Sequence, residues 1–148
     1  MLKDLFALAE REGIIIAWWD FKPPLEAVYM AVPGLPPVIG LANSLATAPL
    51  AYFRSVLAEE LGHFYTTAAN ALAVTFFHYR DRLTVSQAEY RARKWAALYL
   101  VPERKLYRAL RKGIREIWEL AEWFGVTEEI MALRLNLLGG KHLQRKIC

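Results

Sequence analysis

Hydrophobic and polar positions follow two different rhythms along this chain, and the change falls near residue 47. Residues 2–11 carry Leu2, Leu5, Phe6, Leu8 and Ala9 at helical spacing, and Gly13 ends the pattern, which predicts a short amphipathic helix. Ile14–Trp19 is β-branched and aromatic without a polar break, the composition of a buried strand. A turn follows at Asp20–Pro24. Two extended stretches, Glu26–Val32 and Pro37–Ala42, flank Pro33-Gly34-Leu35-Pro36-Pro37, whose rings stiffen the loop of a hairpin.

Beyond residue 47 the period becomes helical. Pro49 suits the first turn of a helix with Leu50, Phe53, Val56, Leu57 and Leu61 as its apolar positions. A second helix runs from Ser86 to about Leu100, capped by Thr84 or Ser86 and ended by Pro102. Helices are predicted over Glu103–Lys112 and Ile114–Phe124, parted at Gly113. Gly125 stops the chain, Thr127 caps a last helix through Leu138, and Gly139-Gly140 ends it. About three strands followed by helices predict a small α+β fold. The predicted organisation is one domain over 1–148. It divides into a helix plus small sheet (1–46), a middle helical pair (47–101), a helical section (102–138) and a basic tail (139–148).

Composition narrows the class. The 148 residues are 55% hydrophobic and 23% charged, too apolar for a disordered chain and long enough for one core. The longest apolar runs are far shorter than a membrane helix, and Glu10-Arg11-Glu12 interrupts anything resembling a signal peptide. Cys148 is the sole cysteine, which excludes a disulfide framework and a cysteine-rich metal site. A cytoplasmic protein without membrane contact is expected. Net charge is +4, yet the first fifty residues sum to −2. Much of the basic excess lies in Arg104, Lys105, Arg108, Arg111, Lys112 and Arg115, most of them along one side of a helix whose other side (Leu106, Ala109, Leu110) has core spacing. This face is read as solvated rather than as a nucleic-acid surface.

The candidate chemistry lies in Leu57-Ala58-Glu59-Glu60-Leu61-Gly62-His63-Phe64-Tyr65-Thr66. Glu59 and His63 stand one helical turn apart on one face and could share a cation, with Glu60 offset to address a water on it. That is the geometry behind the zinc motif H-E-x-x-H, here with glutamate at the first histidine position. A bare E-E-x-x-H is weak by itself. Its apolar surroundings strengthen it, because buried carboxylates need a metal, a cation or an exposed rim. Glu89, on the helix Ser86–Leu100, is the best-placed third ligand.

These residues resemble the ImmA/IrrE-type metallo-endopeptidases, particularly the short phage- and mobile-element-encoded members. The resemblance includes Glu89-Tyr90-Arg91-Ala92-Arg93-Lys94-Trp95-Ala96-Ala97, Leu100-Val101-Pro102 and Leu120-Ala121-Glu122-Trp123-Phe124-Gly125-Val126-Thr127, and covers roughly residues 14 to 138. It implies a minimal zincin fold in which Glu59, His63 and Glu89 ligate zinc and Glu60 is the catalytic base. Glu59 stands where the family's first histidine belongs. Two carboxylate ligands make the metal a poorer Lewis acid and discriminate less strongly against manganese or iron. The implied activity is cleavage or inactivation of a helix-turn-helix repressor of a phage or mobile element. The rival readings are a pseudopeptidase that grips the repressor without cutting it, and a nucleic-acid-binding regulator.

Other features have plainer readings. His78 could replace the missing first histidine, but one histidine in the aromatic cluster Phe76-Phe77-His78-Tyr79 reads as a partly buried or rim residue in a loop. His142 falls in the basic tail. Trp95 and Tyr99 read as core. The helix–Gly-Val-Thr–helix of 117–138 has the outline of a helix-turn-helix, but Glu128 and Glu129 at the head of its second helix would repel phosphate.

Overall fold

Ten residues, Leu2–Arg11, form α1, which turns its Leu5, Leu8 and Ala9 inward. It ends at Gly13, whose φ of 72° lets Ile14 N donate back to Ala9 O at 2.9 Å. The structure is a computed structural model, and it describes residues 2–68 and 72–139. The strands β1 (Ile15–Trp19), β2 (Leu25–Ala31) and β3 (Val38–Ala42) follow. After a 3₁₀ turn over Asn43–Thr47, which periodicity does not predict, comes the helix α2 (Leu50–Thr66). A strand unforeseen in the sequence, β4 (Val74–Tyr79), lies between α2 and α3 (Gln87–Leu100). Three further helices complete the described chain: α4 (Glu103–Arg111), α5 (Ile117–Phe124) and α6 (Glu128–Leu138).

The sheet is mixed and four-stranded, in the order β1-β3-β2-β4. β2 and β3 are the expected antiparallel hairpin, β1 runs parallel to β3, and β4 runs antiparallel to β2 with an irregularity between Leu25 and Ala27. Two expectations need correction. Ile14 is buried as expected, but the strand that follows it, β1, is an edge strand with no fully buried residue, and Ile15, Trp18 and Trp19 are exposed. His78 belongs to β4, not to a loop. The inward positions of that strand are Val74, Phe76 and His78, alternating with exposed Thr75, Phe77 and Tyr79.

The core joins the inner face of the sheet (Ala27, Tyr29, Ile39, Leu41) to α1, α2 and the later helices. The helix α2 is central and buries an unbroken run from Ser55 to His63. At Gly62 it crosses α3 so closely that an added Cβ would run into the carbonyl of Ala92, whose carbon would lie 2.8 Å away. Only glycine permits that approach. On α4 the sequence reading holds: Leu106, Ala109 and Leu110 are buried, while Arg104, Lys105, Arg108 and Arg111 face solvent. The helix expected from Ile114 begins later, at Ile117.

Thr127 caps α6 as expected, its hydroxyl accepting from Ile130 N. The turn before it is held by α2. Arg54 Nη1 donates to the carbonyls of Phe124 and Gly125 at 2.7 and 2.6 Å, and Thr127 N donates to Ser55 Oγ at 3.1 Å. Trp95 is half-buried between Tyr65 and Tyr99, so it packs as expected, but Tyr99 keeps 40% of its surface in solvent. His142 and Gly140 lie outside the described residues. Among the described residues no helix is long and apolar enough to cross a membrane.

Candidate active site on the central helix

Helical phase brings Glu59, Glu60 and His63 together under β4. A central helix clad in Val56, Leu57 and Leu61 buries whatever its remaining positions carry, and here those positions are charged. Glu60 has no exposed surface, and neither of its carboxylate oxygens has a hydrogen-bond partner. Burial, and then the neighbouring Glu59, push its carboxyl well above the usual range. The His63 ring stacks on Phe76 of β4 at 4.3 Å between centroids, and its Nδ1 is buried without a partner. Burial lowers its pKa to about 4, opposed by Glu89 and assisted by Arg82, so the imidazole is neutral at physiological pH.

His78 is the residue that sequence reasoning undervalued. Its Nδ1 lies 3.6 Å from Glu60 Oε1 and 4.0 Å from Glu59 Oε2. Burial, followed by the charges of Arg82 and Arg93, holds its pKa down to about 3. The available signal was the alternation of Val74-Thr75-Phe76-Phe77-His78-Tyr79, which marks a strand and puts His78 on the same side as Val74 and Phe76.

Glu59 and Glu89 do meet at one cation, a guanidinium. Arg82, in the connection after β4, donates through Nη2 to Glu59 Oε1 and through Nη1 to Glu89 Oε2 at 2.5 Å. Arg93 of α3 sets its Nε 3.7 Å from Glu59 Oε2 and pairs through Nη1 with Glu129 of α6. Acid and base therefore alternate along Glu89, Arg82, Glu59, Arg93 and Glu129. Burial raises the Glu59 pKa, and the two guanidiniums pull it back without cancelling the rise. Burial likewise works against the charge of Glu89, yet its bonds with Ser86 and Arg82 leave its pKa below the ordinary value. The Ser86 bonds are a capping box: Glu89 N donates to Ser86 Oγ at 3.1 Å, and Ser86 N donates to Glu89 Oε1 at 3.2 Å.

A divalent ion held by Glu59, His63 and Glu89 does not fit this arrangement. Two of its three donors are committed to arginine, one of them also to a helix cap. Among the described residues no three His, Cys, Asp or Glu side chains form a group that could hold a metal.

Two hollows flank this cluster. A cavity of about 380 Å³ reaches Glu59, His78 and Arg93, and a second of about 360 Å³ runs beside Phe77, Thr84 and Glu89. Arg82 and Tyr79 line both. Sequence reasoning also missed Glu26. Buried on β2, it accepts from the Tyr52 hydroxyl and, at 3.2 Å, from Arg80 Nη2 at the rim of the larger cavity.

Comparison with known proteins agrees with this plan of a small mixed sheet over a carboxylate-bearing helix. No curated protein matches the chain. The model of a peptidase family, described as the IrrE N-terminal-like domain, matches residues 10–136. By that match across most of its length, the chain belongs to the IrrE N-terminal-like family, whose members are of the metal-dependent peptidase type and suggest a divalent cation, usually zinc.

Proposed function

We propose that this chain receives an extended segment of a helix-turn-helix repressor, from a phage or mobile element, along β4 and inactivates it by holding it at the α2 site. The family supports a peptide-directed site, and the resemblance of the motif blocks supports the repressor as partner. The observation that carries the reading is the position of β4. Among the described residues it pairs only with β2, it covers Glu60 and His63, and it presents Phe77 and Tyr79 outward. A segment added as a further strand would bond through its main chain and offer alternate side chains to the hollows on either side of Arg82. The setting is the cytoplasm, where such a repressor works. Nucleic acid is not contacted directly, since α6 leads with Glu128 and Glu129.

Hydrolysis is the second reading, favoured by Glu60, which stands one position after Glu59 and three before His63 as a general base would. It assigns Glu59, His63 and Glu89 to zinc, with manganese or iron as substitutes, and proton transfer to Glu60. It requires Glu59 and Glu89 to leave Arg82, and no hydrolytic step follows from the arrangement described above.

Mixing the chain with a helix-turn-helix repressor of a phage or mobile element separates the readings. Calorimetry is expected to show a complex, and intact-mass spectrometry an uncut repressor. Phe77→Asp should weaken binding by about tenfold, or about 1.4 kcal/mol, without changing the thermal midpoint. Cutting at one bond, abolished by Glu60→Gln with the fold intact, would establish hydrolysis instead. A repressor neither bound nor cut would defeat both.

A further inference from the structure

We infer that Arg82 is the resident cation of the α2 site: its guanidinium spans Glu59 and Glu89, the two carboxylates that the sequence resemblance assigns to a divalent ion. The argument rests on geometry. A planar guanidinium presents N–H groups in a fixed fork, and here two different nitrogens reach two different carboxylates drawn from α2 and α3. Arg82 is itself largely buried, its side chain keeping 12% of its surface. Arg93 approaches the other oxygen of Glu59, so that carboxylate meets guanidinium on both sides. Arg82 also lines both hollows, together with Tyr79.

The consequence is a site whose charge balance is built from the chain's own residues. It concerns the same site as the repressor-binding reading, but it stands or falls on metal content and melting, which need no repressor. The purified chain should carry no stoichiometric metal, and neither EDTA nor added zinc chloride should shift its thermal midpoint. One equivalent of tightly held metal, or a clear upward shift with zinc, would overturn the inference.

Arg82→Ala leaves Glu59 and Glu89 facing each other without the shared cation. That variant should melt lower than the parent and regain midpoint when zinc chloride is added, with zinc uptake measured by atomic emission. Arg82→Lys, which keeps one charge but cannot form the fork, should fall between the two in midpoint. Variants that melt like the parent and ignore zinc would show that Arg82 is not the cation on which the carboxylates depend.

Discussion

Glu26 and Tyr52 show how a single polar pair can be placed by its neighbours. The carboxylate is buried on β2, the phenol reaches it from α2, and Arg80 both donates to Glu26 and lies over the Tyr52 ring at 5.6 Å from its centroid. Burial, then the hydrogen bond to Glu26 and its charge, push the Tyr52 hydroxyl up to about 12. The sign follows from linkage: a folded-state pKa above the unfolded value near 10 means stability that is present below pH 10 and lost as pH rises toward 12. Tyr65, also raised to about 12, adds to the same alkaline loss. Tyr52→Phe should therefore flatten part of the decline in urea midpoint between pH 9.5 and 11.5, by roughly the share of one tyrosine. A decline as steep as the parent's would show that the phenol does not titrate late.

The legibility of single residues divides along physical lines. Glu59, Glu60 and His63 stand out because helical phase alone groups them. Arg82 does not, because its position depends on the path of a connection, where Asp81 adopts a φ of 56° and no periodicity operates. Glu89 is legible as a candidate ligand, and the structure uses it in the cap of α3 and in the Arg82 bridge.

Among elements, the contact of α2 with α3 is the most exacting. Gly62→Ala would thrust a methyl group into the Ala92 carbonyl, which is backbone and cannot swing aside. The expected cost is about 1–3 kcal/mol, the usual range for overpacking, read as a lower denaturant midpoint at unchanged slope. An unchanged midpoint would mean that the helices can separate without loss.

Helices were read well from the sequence because their stops are chemical: Gly13, Pro102 and Gly125 end elements wherever the chain is placed. Strands were read less well. The burial of β1 depends on what lies beside it, which Ile14–Trp19 cannot encode, and β4 is a short alternating run whose inward histidine disguised the pattern. The late start of α5 has a similar origin, since Ile114 belongs to the turn that closes α4, where its N donates to Ala109 O at 3.2 Å, and Glu116 is the N-cap.

At the scale of the whole molecule, α2 ties the sheet half to the helical half. Arg54 satisfies the carbonyls at the end of α5, and Ser55 accepts from the cap residue of α6. Arg54→Ala should cost about 1.5–3 kcal/mol, the range for hydrogen bonds to a charged group. Amide exchange should then rise across 117–138 more than in the sheet. Uniform acceleration in both halves would indicate that they unfold as one unit and that the link is not local.

These anchors and three of the site residues, Glu59, Glu60 and His63, occupy the same seventeen-residue rod, Leu50–Thr66. Each inserted or deleted residue rotates everything downstream by about 100°. A single-codon gain between Ser55 and Glu59 would thus leave the fastening of α5 and α6 in register while turning Glu59, Glu60 and His63 away from β4. Away from positions such as Gly62 and Arg54, substitutions can accumulate along α2, but changes of length cannot. In related chains this stretch should align without gaps even where its individual letters diverge.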